Sequence, residues 1–244
     1  MTSHKDKLHI AIPDGHQMNH FVKFIEKAGI GFEGYSKSNL NRRPTLYAKS
    51  DAAKKELTHS NKYLVKVIRP QDMPIHVANQ NFDIAISGID WLTEHKLRFP
   101  KSPVVERIKL GFGKVRIVAA IHKDYVNNIS SFLQEIHGPH RKNHLRIASE
   151  YVYIADHYAQ NNYYHPYRVI MTYGATESLI PEDCDMIIEN TETGNTLRKN
   201  NLDIIDSIMT SEGCLIANSD SLSIPWKKEM IEGIESLFQI ALSH

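Results

Sequence analysis

The sequence predicts an α/β fold built on a mainly parallel sheet, and three observations carry that expectation. Short apolar runs such as "LHIAIP", "YLVKVI" and "FDIAIS" recur along the first third of the chain. Segments with helical periodicity lie between them, and glycines stand where segments should stop, at Gly29 and Gly88. Repeated strand and helix alternation of this kind favours a layered α/β architecture.

Each segment has its own warrant. "LHIAIP" (8 to 13) is a short apolar run and reads as a strand. "MNHFVKFIEKAG" (18 to 29) sets Phe21, Phe24, Ile25 and Ala28 at helical spacing before Gly29. "YLVKVI" (63 to 68) precedes a segment opening "RPQDMP", and "FDIAIS" (82 to 87) ends at Gly88 before "IDWLTEH". After "GKVRIVAAI" (113 to 121), the polar stretch "HGPHRKNH" (137 to 144) separates a predicted helix from the strand "LRIAS" (145 to 149). A second series follows: "YVYIADHYAQ" as a helix, then "YRVIM" (167 to 171) and "CDMII" (184 to 188) as strands. "LDIIDSIMTSEGCLIANS" (202 to 219) carries two apolar runs, read as strands that return to the first lobe. From Trp226 to Leu242, Met230, Ile234, Leu237 and Ala241 form one stripe with Ile231 and Phe238 beside it, which predicts an amphipathic helix.

At 244 residues the chain suits one large domain or two small lobes. Twenty-nine Lys plus Arg against twenty-eight Asp plus Glu leave a formal charge of +1, so no global attraction to nucleic acid or membrane is expected and any anion site must be local. No stretch approaches eighteen apolar residues, and the amino terminus lacks the apolar region of a secretory signal, so a cytoplasmic protein is expected. Cys184 and Cys214 each lie in an apolar run and read as reduced core residues. Of the fourteen histidines, neither the pair His16 and His20 nor the set His137, His140 and His144 has a third ligand at a recognised spacing, so both groups read as surface or helix-end histidines.

The stretch richest in chemistry is "IIENTETGNTLRKN" (187 to 200), an apolar strand ending on Glu189 and running through Thr-Gly-Asn-Thr into a helix. Gly194 lets a backbone approach a ligand closely, a helix start favours an anion, and Thr193 and Thr196 add hydroxyl donors. Glu189 can accept hydrogen bonds from vicinal ribose hydroxyls, and Glu192 can do the same or help hold a hydrated Mg²⁺. A sugar phosphate satisfies both halves of this pattern. A threonine cap on the helix explains the hydroxyls equally well without a ligand.

The ordered set "LHIAIPDG", "VIRPQDMPIHV", "FDIAISGIDWLTE", "LGFGKVRIVAA", "LRIASEYVYIADHYA", "YGATES" and "ENTETGNTLRKNNL" resembles the ATP phosphoribosyltransferase family over roughly residues 8 to 219. The resemblance implies two α/β lobes with a central cleft, similar to type II periplasmic binding proteins. On this expectation residues 1–112 and 213–244 form lobe I, and 113–212 form lobe II with the phosphoribosyl pyrophosphate loop. The implied reaction transfers a 5-phosphoribosyl group from phosphoribosyl pyrophosphate to N1 of ATP and releases pyrophosphate, with Mg²⁺ as cofactor. About 25 residues follow Asn218, which resembles the short form of the family. That form implies a partner similar to histidyl-tRNA synthetase and a homodimer or higher oligomer.

Carried over by position, the resemblance places Glu189, Glu192, Thr193, Gly194, Asn195 and Thr196 in the phosphoribose loop, with Glu189 where the family usually has aspartate. Glu177 of "YGATES" matches a glutamate near the ribose and joins Glu189 as a catalytic candidate; Arg69 and Asp90 match positions near the nucleotide. From the residues alone, Arg69 also fits a surface ion pair, Asp90 a helix cap and Glu177 a solvated loop acid. Gly15 and His16 are assigned to pyrophosphate, but the turn departs from the family's Lys-Gly-Arg: here it is Asp14-Gly15-His16. An acid there repels pyrophosphate unless a cation intervenes, which implies either a different metal arrangement or another aromatic acceptor. Arg42 and Arg43 in "NRRP" are a candidate source of replacement charge beside a plain solvated loop. A small-molecule-binding or regulatory homologue without turnover is the third alternative.

Overall fold

The computed structural model describes residues 6–57, 60–125, 129–136, 144–162 and 164–243. In chain order its strands and α-helices are β1 (Leu8–Pro13), α1 (His16–Lys27), β2 (Ile30–Phe32), β3 (Leu46–Ala48), α2 (Asp51–Glu56), β4 (Tyr63–Ile68), α3 (Met73–Ala78), β5 (Ile84–Gly88), α4 (Ile89–Arg98), β6 (Val104–Lys109) and β7 (Val115–His122). There follow α5 (Ile129–Ile136), β8 (Leu145–Ser149), α6 (Val152–Asn161), β9 (Tyr167–Met171), β10 (Met186–Thr191), α7 (Asn195–Lys199), β11 (Leu202–Ser211), β12 (Gly213–Asn218), α8 (Ser219–Leu222) and α9 (Pro225–Leu242). Most of the polar stretch at 137 to 144, with His137 and His140, lies outside the described residues.

The chain divides into two compact α/β units. The first comprises Met1–Leu92, Lys101–Gly113 and Glu212–His244, and the second Thr93–Pro100 and Lys114–Ser211. Each owns a five-stranded sheet, ordered β4-β1-β5-β12-β6 in the first and β11-β7-β10-β8-β9 in the second.

The expected mainly parallel sheet is corrected here: both sheets are mixed. In the first, β1 runs parallel to β4 and β5, whereas β12 is antiparallel to β5 and β6. In the second, β8 is parallel to β9 and β10, whereas β7 is antiparallel to β10 and β11. Parallel neighbours need a covering crossover, and helices supply it between β8 and β9. Strands β11 and β12 carry no crossover helix between them and take antiparallel places.

Amphipathic helices close the first unit's core. Helix α1 buries Met18, Phe21, Phe24 and Ile25, and α9 buries Met230, Ile231, Ile234, Leu237, Phe238 and Ala241. The two stripes meet through aromatic edges, with ring centroids 6.3 Å apart for Phe21 and Phe238 and 5.3 Å for Phe24 and Phe238. Buried Asp83 ties the start of α9 to the sheet: Oδ1 accepts from Lys227 Nζ at 2.7 Å and Ser221 Oγ at 2.6 Å, and Oδ2 accepts from the His9 amide at 2.8 Å.

In the second unit, Val118, Ala120, Ala148, Ile187, Leu197 and Leu202 share one core cluster with Cys184. Both cysteines are free thiols and fully buried; burial pushes the Cys184 thiol up to about 12, which makes it a packing residue at neutral pH. Among the described residues no helix is long and apolar enough to cross a membrane.

Candidate active site

The second unit gathers its chemistry at the carboxyl ends of its parallel strands, the usual place for ligands in open α/β sheets. Register pairs Ile188 with Ser149 and Ser149 with Met171, so Glu189, Glu150 and the loop after β9 start from one level of the sheet. In that loop, Ala175 is left-handed at φ 51°, and a short 3₁₀ turn over Thr176–Leu179 brings Glu177 in. Glu189 therefore stands among like charges from Glu150 and Glu177. Burial first, and those carboxylates second, raise its pKa to about 7, against opposing hydrogen bonds from the Asn190 amide and the Thr176 hydroxyl. Glu189 Oε1 accepts from both the backbone amide and the side-chain amide of Asn190 at 2.9 Å.

The surroundings hold these groups in place. Thr172 and Thr176 share a buried hydroxyl contact at 2.8 Å. Ser149 Oγ donates to the Ile188 carbonyl at 2.6 Å and accepts from the Tyr151 amide at 2.8 Å. The side chain of Asn190 also donates to the Tyr151 hydroxyl at 3.2 Å. Glu94 accepts from the Tyr153 and Ile154 amides, both at 2.8 Å, and so satisfies orphan donors at the start of α6. Burial is the largest influence on Glu94 and raises its pKa.

The Thr-Gly-Asn-Thr bend is built around Gly194. Its φ of 75° is a left-handed conformation that glycine adopts without a side-chain penalty. Its amide donates to the Thr191 hydroxyl at 2.8 Å, and the Asn195 amide reaches the Thr193 hydroxyl at 3.4 Å. Thr193, Asn195 and Thr196 are exposed around the bend, as is Glu192. Arg198 folds back over it, donating from Nη2 to the Thr193 carbonyl at 3.2 Å and to Asn195 Oδ1. A fixed cation thus lies against the exposed hydroxyls.

In the first unit, the turn after β1, Arg69 after β4 and Asp90 after β5 also lie at carboxyl ends of parallel strands. The strand order makes this a switch point: the chain passes from β1 to β4 on one side and then to β5 on the other. Gly15 has φ 69° and caps α1, and His16 opens that helix with its ring centroid 5.1 Å from that of His20. Asp90 is buried in the first turn of α4, where the helix dipole favours an acid. Arg69 is exposed and acts electrostatically on Asp14. Arg42, not Arg43, is the residue that reaches Asp14.

Four contributors escape a reading of the sequence: Thr191, Arg198, Glu150 and Thr176. A signal exists for the first two. Thr191 stands three residues before Gly194, the spacing at which a hydroxyl caps a following amide, and Arg198 stands three after Asn195 on the same helix face. Glu150 and Thr176 depend on strand register and loop path, which no local spacing encodes.

The family profile described as ATP phosphoribosyltransferase matches residues 69–239. An ATP phosphoribosyltransferase from Prosthecochloris aestuarii is 31% identical over 247 residues, covering 99% of this chain and 74% of that relative. The chain belongs to the ATP phosphoribosyltransferase family. A further ATP phosphoribosyltransferase, from Pelotomaculum thermopropionicum, is 34% identical over 183 residues; the match covers 73% of this chain but only 58% of that protein. Among solved structures, the ATP phosphoribosyl transferase (HisG:HisZ) complex from Thermotoga maritima aligns with TM-score 0.69 and 22% identity, covering 97% of this chain and 100% of that one, which establishes the shared fold. A histidine kinase sensor domain with similarity to periplasmic binding proteins aligns with TM-score 0.51 and 11% identity, covering 97% of this chain and 94% of that one, and so shares the fold.

Proposed function

We propose that the chain catalyses the reaction named by its family: transfer of 5-phosphoribosyl from phosphoribosyl pyrophosphate to N1 of ATP, with release of pyrophosphate, the opening step of histidine biosynthesis. The observation that carries this reading is the family match over residues 69–239 falling on a chain whose Glu177, Glu189 and Thr-Gly-Asn-Thr bend share one unit.

Displacement at the anomeric carbon builds positive charge on the ribose and negative charge on the departing pyrophosphate. Glu189 and Glu177 would orient the ribose hydroxyls and offset the developing positive charge. Thr193, Gly194, Asn195 and Thr196 would hold the 5′-phosphate, with the Arg198 guanidinium beside them and Glu192 at the rim. Arg69 and Asp90 are assigned to the nucleotide, and Gly15 and His16 to pyrophosphate. N1 of adenine is a weak nucleophile with no proton to lose, so no general base is required and alignment of the two substrates carries much of the rate.

Mg²⁺ is a hard cation that takes oxygen ligands and keeps several waters, so the substrate's own phosphates would supply most of its ligands. Glu150 and Glu177 act electrostatically on Glu189, but the three carboxylates are not gathered closely enough to hold one ion between them. Bound to the substrate, the ion would supply charge neutralisation to the leaving pyrophosphate.

A subunit resembling histidyl-tRNA synthetase, and a homo-oligomer of this chain, belong to the same proposal. A second reading, with another aromatic base as acceptor, is favoured by one observation: Asp14 occupies the turn after β1. The test is pyrophosphate release from phosphoribosyl pyrophosphate and Mg²⁺ with ATP or with other bases, run with and without a synthetase-like partner. Release with ATP supports the first reading; release only with another base supports the second; tight binding without release in either condition defeats both.

A further inference from the structure

The carboxyl end of β1 holds a contact that the reaction as described leaves unused. Arg42 Nη1 donates to Asp14 Oδ2 at 2.5 Å, and Asp14 Oδ1 accepts from the Gly15 amide at 2.7 Å. The arginine is delivered by a loop fastened to the sheet end. Its own carbonyl accepts from the Val67 amide at 3.0 Å, and the Asn41 amide donates to the Gly34 carbonyl at 2.8 Å. The buried Tyr35 hydroxyl donates to the Pro13 carbonyl one residue before the acid. Arg69, following the neighbouring strand β4, adds a second positive influence on the same carboxylate.

Exposure is divided unequally across the pair. The Asp14 side chain is 20% exposed and that of Arg42 60%. A guanidinium has five donor hydrogens, and one nitrogen of Arg42 serves Asp14, so its remaining fork stays open to an incoming ligand. A lone carboxylate offers one negative charge for the guanidinium. A di- or polyphosphate offers more charge and bidentate geometry, whereas a weakly charged ligand has no such advantage.

We propose that Asp14 is a stand-in anion that keeps Arg42 aimed over the end of β1 and yields it to a polyphosphate, so that Asp14 is a positioning residue for the guanidinium, held at a cost in anion affinity. The proposal rests on the phosphoribosyltransferase reading, since that reaction alone brings polyphosphates to this end of the sheet.

The test is calorimetric binding of inorganic phosphate and of pyrophosphate, in metal-free buffer, to the full chain and to the Asp14→Asn, Arg42→Gln and doubly substituted proteins. Asp14→Asn is expected to tighten phosphate by about tenfold, the size that removal of one nearby like charge gives at a partly exposed site, and pyrophosphate, which carries more charge, by at least as much. The preference for pyrophosphate over phosphate is therefore kept or widened. Arg42→Gln is expected to weaken both ligands and to cancel the gain in the double variant. A residue that only fastens the loop would leave affinity unchanged or lower it when replaced, and either result overturns the proposal. So does unchanged phosphate and pyrophosphate binding in Arg42→Gln, whatever the Asp14 variant does. Phosphoribosyl pyrophosphate binding to the unsubstituted protein is measured alongside. Its absence with the expected phosphate pattern defeats the proposed reaction and leaves this pair's role standing; its presence without that pattern defeats this inference alone.

Discussion

The Gly194 amide ends on the buried hydroxyl of Thr191, 2.8 Å away, so the Thr-Gly-Asn-Thr bend is closed from within by the strand that precedes it. Thr191→Val keeps the shape and removes the acceptor. It is expected to cost ~1–3 kcal/mol, the usual penalty for stranding a buried donor. Gly194→Ala is expected to cost ~1–2 kcal/mol for a left-handed residue that carries a Cβ, although ordinary space remains 3.5 Å from Arg198 and Ile204. Urea denaturation measures both, and both variants should bind phosphoribosyl pyrophosphate more weakly than their stability loss alone explains.

Arg198 makes the second prediction. It is exposed and folded onto the bend, so Arg198→Ala should change the melting temperature little. If its guanidinium faces the 5′-phosphate, the dissociation constant for phosphoribosyl pyrophosphate should rise about tenfold, equivalent to ~1.4 kcal/mol for one charge-assisted hydrogen bond. An unchanged constant would remove Arg198 from the binding set.

Glu189 sets a pH dependence. Its pKa is raised from an ordinary 4.5 to about 7, so the folded protein holds this proton more tightly than the unfolded chain does. Stability from this group is complete below pH 4.5 and is lost as pH rises through 7. Glu189→Gln should therefore gain melting temperature relative to the parent as pH increases. On the proposed function, ribose binding should run the other way, because only the carboxylate accepts from both hydroxyls. Affinity for phosphoribosyl pyrophosphate should rise through pH 7 in the parent and lose that limb in Glu189→Gln. A parent profile that is flat from about pH 5 to 8 would separate Glu189 from the sugar.

Lys227 and Asp83 give a prediction confined to stability. Lys227→Met leaves a buried carboxylate with its hydroxyl and amide partners but no cation, and should cost ~3 kcal/mol or more. Lys227→Arg should recover part of it. Chemical denaturation of the two variants decides the matter, and phosphoribosyl pyrophosphate affinity should not move in either at concentrations where both are folded.

Much of the strand and helix pattern is legible in the residues themselves. The runs at 8 to 13, 63 to 68, 145 to 149 and 167 to 171 form β1, β4, β8 and β9, because short apolar runs bounded by turn residues leave little choice. The Met230, Ile234, Leu237 and Ala241 stripe forms the buried face of α9. Helix α1 begins at His16, two residues before the expected segment, because Gly15 rather than the apolar period sets its start. Sheet direction is not legible in the same way: β7, β11 and β12 carry the same apolar signature as parallel strands, and their antiparallel places follow from topology. The acids divide likewise. Glu189 announces itself as the first acid after an apolar run that leads into a bend, although β10 continues past it to Thr191, whereas Glu150 matters only because Ile188 pairs with Ser149.

Strand β12 sits between β5 and β6 although more than a hundred residues separate it from either along the polypeptide. A ribosome therefore delivers both flanking strands long before the one that joins them. Every strand of the second sheet, β7 through β11, emerges while the first still has a gap in its interior. The second unit can complete its hydrogen-bond ladder during synthesis, and the first must keep two unsatisfied edges until residues 213–218 arrive. Those edges are where nascent-chain aggregation, or shelter by a chaperone, is expected to concentrate.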